Sequence, residues 1–94
     1  MQIKMIKEDI INGVPFDSEA CAISQALMRE FNTNCVSTSM GKSKVLIQIN
    51  EQHYFVDKKD QNKVKKFIYD FDNLAPFDNA EQLPPKPITF ELNQ

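Results

Sequence analysis

Five short stretches of the chain read as strands, and in several of them apolar and polar residues alternate with the period of two that turns one face toward a core. In "QIKMI", Ile3 and Met5 alternate with Gln2 and Lys4. "CVSTSM", residues 35–40, favours extended backbone through its β-branched Val36 and Thr38, and Gly41 then turns the chain. "KVLIQIN" sets Val45, Ile47 and Ile49 on one face. "HYFVD" follows so closely that Asn50 and Glu51 predict the turn of an antiparallel hairpin. "ITFEL" closes the series, with Ile88, Phe90 and Leu92 set against Thr89 and Glu91.

Two other stretches carry the helical period. Ala20, Ile23, Leu27 and Phe31 share one face of a helix expected from Ser18 to Phe31, with Asp17 as its N-cap and Phe16 stapled onto Cys21. Val64, Phe67, Ile68 and Phe71 follow the i, i+3, i+4, i+7 rule in a helix expected to start at an Asp60 cap and to end near Asn73. "KEDIINGVPFD" predicts a short helical turn that Gly13 ends and Pro15 leaves extended. Four prolines in "LAPFDNAEQLPPKP" preclude regular helix or central strand, so residues 74–87 are expected to be irregular.

The order is therefore β, α, three β, α, β. One-sided helices complement a one-sided sheet, which predicts an α+β fold, a two-layer sandwich with two helices packed on one face of an antiparallel or mixed sheet. The terminal strands are expected to pair, leaving an open edge through which a homodimer can form in place of a monomer. At 94 residues the chain is read as a single domain over 1–94.

Composition narrows the partners more than the fold. The apolar share of 41% and the charged share of 26% are those of a globular chain. No stretch approaches the length of a signal peptide's apolar core or a membrane span, so a cytoplasmic location with no membrane partner is expected. The net charge of −2 divides unevenly. Residues 1–41 net −2, residues 42–66 net +4 through seven lysines against Glu51, Asp57 and Asp60, and residues 67–94 net −4.

Candidate chemistry is sparse. A cysteine near a helix start can become nucleophilic, but Asp17 and Glu19 oppose a thiolate at Cys21, and its base would have to be His53 on a strand. Cys21 is read as a packing residue and a thiol enzyme as the lesser alternative; no catalytic residues are assigned. Cys21, Cys35 and His53 fall short of a zinc ligand set, and both thiols are expected reduced. The spacing of Asp70, Asp72, Asp78 and Glu81 matches no calcium loop, and the Gly-Lys-Ser triplet in "SMGKSK" lacks the glycine-rich run of a phosphate loop. No metal and no cofactor are expected. Lys58, Lys59, Lys63, Lys65 and Lys66, with Asp70 and Asp72 beyond them, form the candidate interaction surface.

The stretch "IKMIKEDIINGVPFDSEACAISQAL", Ile3 to Leu27, resembles the N-terminal signature of small, mostly uncharacterised accessory proteins encoded by bacteriophages and prophages. The matching positions are Ile3, Lys4, Ile10 or Ile11, Gly13, Asp17, Cys21, Ala22, Ile23, Ala26 and Leu27, and "KKFIYDFDN" is similar to that group's second helix. Many members carry proline after the cysteine, where this chain has Ala22. The resemblance implies a phage or mobile-element origin and a small accessory role. The expected function is a non-enzymatic module that binds or inhibits a host or phage protein, including an anti-CRISPR or other anti-defence role. The alternative is a nucleic-acid-binding accessory protein that uses the Lys58 to Lys66 patch.

Overall fold

The computed structural model describes residues 1–41, 44–73 and 85–94. It is an α+β sandwich built on one five-stranded sheet of order β1-β5-β4-β3-β2, every neighbouring pair antiparallel. The strands are β1 (Gln2–Lys4), β2 (Val36–Met40), β3 (Val45–Ile49), β4 (Gln52–Val56) and β5 (Thr89–Asn93). The helices are α1 (Lys7–Asn12), α2 (Ala22–Phe31) and α3 (Gln61–Asp72), the last preceded by a 3₁₀ turn at Lys58–Asp60. The expected terminal pairing is present, with Ile3 opposite Phe90.

The inner face of the sheet carries Ile3, Val36, Val45, Ile47, Ile49, Val56, Phe90 and Leu92, all buried. Ala22, Ile23, Ala26 and Leu27 of α2, with Val64, Phe67 and Phe71 of α3, complete one core. Phe67 and Phe71 stack at 6.0 Å, and Phe31 meets Tyr54 edge-on at 5.7 Å. The β3–β4 hairpin turns at Asn50 and Glu51, both at positive φ, the handedness that matches strand twist.

The two edges of the sheet, β1 and β2, are each partly occupied. Arg29 on α2 donates to the Lys4 carbonyl at 2.8 Å, and the Thr38 amide donates to the Ser18 carbonyl at 2.8 Å. Arg29 also meets the buried Asp9 at 2.9 Å, and Asp9 accepts from the Ile6 amide, so β1, α1 and α2 are fastened at one point.

Several local expectations are corrected. The short helical turn expected before Gly13 is present as α1, but α2 begins at Ala22 instead of Ser18. Asp17 does not cap α2: its side chain accepts from the Glu19 amide, while its carbonyl holds the Ala20 and Cys21 amides in successive turns. Phe16 is 76% exposed at φ 63°, so it staples nothing, and Cys21 sits at the N-cap position. Asp60 stands at the N-cap of α3, but its carboxylate accepts from the Glu91 amide of β5 instead. Gly13 ends α1 as expected, in an extended conformation. Glycine is required there by close approach, because a Cβ would lie 2.7 Å from the Ala22 nitrogen and 2.8 Å from Phe71. Most of the proline-rich segment expected over 74–87 lies outside the described residues.

Candidate functional site

The five lysines nominated by sequence have different local partners and neighbours. Lys63 is 3.3 Å from Asp60, and Lys59 and Lys63 line a hollow that also contains Asp60 and Glu91. Lys66 pairs with Asp70 at 3.5 Å across one helical turn. Asp72 faces the other way, accepting from the Phe16 amide at 3.0 Å. Lys58 and Lys65 share a different cavity. They do so with Lys44, Phe55, Val56, Gln61 and Asn62, in an open groove of about 440 Å³.

The groove is built by the hairpin and by the start of α3. Strand alternation that buries Val45, Ile47 and Val56 sends Leu46 and Phe55 to the opposite face, where cross-strand register sets them directly opposite one another. They are 46% and 41% exposed. Gln61 clasps the ends of both strands, accepting from the Val45 amide at 2.9 Å and donating to the Val56 carbonyl at 2.6 Å. That clasp fixes α3 against the hairpin and so places Lys65 beside Lys58 and Phe55. Lys44 is brought in by the turn, its carbonyl accepting from the Gly41 amide.

Asp57 stabilises the 3₁₀ turn that carries Lys58. Its carboxylate accepts from Asn93 Nδ2 at 2.8 Å and from the Lys59 amide at 3.1 Å. The Asn93 hydrogen bond first, then the Lys59 amide, hold its pKa below the usual carboxylate value.

Lys44, Leu46 and Phe55 were missed by sequence reasoning. Lys44 lies distant in sequence from the lysine run, and Leu46 and Phe55 hide within strands. The available signal for Leu46 and Phe55 was their phase: each falls one residue out of step with the buried positions on its own strand.

A second cleft, of about 280 Å³, is lined by Phe16, Cys21, Met40, Ile68 and Asp72 among others. Behind it lies a polar cluster that the sequence did not reveal. Buried Ser24 donates to the Ser18 carbonyl at 2.7 Å and shares a hydrogen bond of 2.9 Å with Thr38. The Cys21 thiol lies 3.6 Å from the Ser24 hydroxyl. His53 stands opposite Gln48 on the far face of the sheet, so the thiol and the imidazole are held apart. Both cysteines are free.

Among the described residues no three His, Cys, Asp or Glu side chains converge as a metal site. Asp78 and Glu81 lie outside the described residues. Among the described residues no helix is long and apolar enough to cross a membrane. Compared with protein-family models, curated proteins and solved structures, the chain has no match.

Proposed function

We propose that the protein is a non-enzymatic protein-binding module of phage type, which engages or inhibits a host protein in the bacterial cytoplasm in an anti-CRISPR or other anti-defence role. The observation that carries the binding reading is the Leu46–Phe55 pair. It is an exposed aliphatic side chain directly opposite an exposed aromatic one on adjacent strands, with Phe55 lining a groove beside lysines. Burying such a pair is favourable by about 25 cal/mol per Å² of apolar area, and aromatic anchors beside polar rims recur at protein interfaces. The phage component rests on the resemblance over Ile3 to Leu27.

Nucleic-acid binding is the second reading, favoured by the position of Phe55 among three lysines, since a base can stack on an aromatic ring while ammonium groups hold phosphates. The division of the lysines weighs against it, because Lys63 and Lys66 are already engaged by carboxylates. Affinity capture from bacterial lysate tests the first reading. Wild-type protein is expected to retain a discrete host protein that Phe55→Ala loses, and retention of none at micromolar concentration would contradict it.

A further inference from the structure

We infer that the groove between Lys44, Phe55, Lys58 and Lys65 receives a short acidic segment of the partner protein, with one apolar side chain of that segment seated on Leu46 and Phe55. This rests on the protein-binding reading and identifies the chemistry of its partner. Among the described residues none that lines the groove is acidic, whereas the neighbouring hollow mixes Lys59 and Lys63 with Asp60 and Glu91. The positive field is thus local, and it complements a local cluster of carboxylates. The ammonium groups of Lys44 and Lys58 beside the apolar surface of Phe55 and Val56 suit an alternation of acidic and aliphatic side chains.

Strand addition is not the mode of capture. Leu46 and Phe55 belong to β3 and β4, each hydrogen-bonded on both sides within the sheet. The edge strands β1 and β2 are partly occupied by Arg29 and by the Ser18 carbonyl. Recognition therefore runs through side chains. A nucleic acid is the poorer occupant, because its phosphate charge continues past the groove toward the neighbouring hollow that carries Asp60 and Glu91. With only three lysines engaged, the logarithmic salt slope for a single strand would reach only about −2.

The test is fluorescence anisotropy of the full chain with four probes. These are a short labelled peptide of Glu and Asp with one central Leu, the same peptide with Ser at that place, a basic peptide of equal length, and a single-stranded oligothymidylate. The Leu-bearing acidic peptide is expected to bind most tightly. Both Phe55→Ala and the double variant Lys44→Glu with Lys58→Glu are expected to weaken it about tenfold or more, the lysine variant with melting unchanged because Lys44 and Lys58 are exposed. Equal binding of the Ser peptide, tighter binding of the oligothymidylate, no binding of the acidic peptide at micromolar concentration, or indifference to the variants would each overturn the inference. Light scattering supplies a further arm: a dimer that the lysine double variant dissociates would assign the groove to a second copy of this chain and overturn it too. Repeating lysate capture with the double variant separates this inference from the broader reading. A host protein still retained would sink the groove while sparing the binding module.

Discussion

Replacing Gly13 by alanine tests whether this glycine serves the backbone's conformation or the contact between α1, α2 and α3. Its φ of −73° and ψ of 148° are open to any residue, so alanine meets no torsional penalty. On conformation alone Gly13→Ala should stabilise by about 0.4–1 kcal/mol, through lower entropy of the unfolded chain. The added Cβ, however, would stand 2.7 Å from the Ala22 nitrogen, 2.8 Å from Phe71 Cζ and 3.0 Å from the Ala22 Cα. Ala22 is wholly buried at the first turn of α2, and Phe71 is buried in its stack with Phe67. Neither can yield without moving a helix, so an overpacking penalty of about 1–3 kcal/mol applies. The net expectation is destabilisation by about 1–2 kcal/mol, a fall in Tm of roughly 5–15 °C for a domain of this size. Thermal and urea unfolding measure it, with Gly41→Ala as the control. There the nearest atom is the Lys44 carbonyl oxygen at 3.3 Å, and little change is expected. A Gly13→Ala protein that melts at or above the wild type would refute the close-contact reasoning.

Three further outcomes follow from local geometry. Ser24→Ala should destabilise by about 1–3 kcal/mol, because it strips a partner from the buried Thr38 hydroxyl and the Ser18 carbonyl, while Cys21→Ala should cost only about 1 kcal/mol in the same urea titration. Glu51→Gly should raise stability by roughly 0.5–1 kcal/mol, since the hairpin holds Glu51 at φ 69°, where glycine carries no steric penalty; a lower denaturation midpoint would count against it. The lowered pKa of Asp57 means that its stabilising contribution is complete above the ordinary carboxylate pKa of 3.8 and is lost as pH falls through the lower folded value. Asn93→Ala should move that titration upward toward 3.8 in carboxyl-detected NMR, and an unmoved titration would remove Asn93 as the cause.

The fold was legible where periodicity and burial agree. The alternation of Val45, Ile47 and Ile49 and the stripe of Val64, Phe67 and Phe71 both point into the core as their spacing requires. The start of α2 was not legible, because Asp17 has two ways to satisfy free amides, and the consecutive turns through Cys21 win over a cap. At the candidate site, reading along the chain grouped Lys58 to Lys66 by proximity in sequence. Helical and 3₁₀ geometry then distributes them around the surface toward different carboxylates. Lys44 joins Lys58 only through hairpin register and the Gln61 clasp, both of which are long-range. The Ser24 cluster depends likewise on a strand edge and a loop meeting, which helix periodicity does not encode.

The most direct test of the binding groove is quantitative acetylation of the lysines in the full chain, free and with the host protein retained from lysate bound. Lys44, Lys58 and Lys65 line the groove, whereas Lys7 and Lys86 are exposed outside it. The account predicts that Lys44 and Lys58 lose reactivity together on binding while Lys7 and Lys86 keep theirs. Protection of Lys7 or Lys86 with Lys44 and Lys58 still reactive would contradict it.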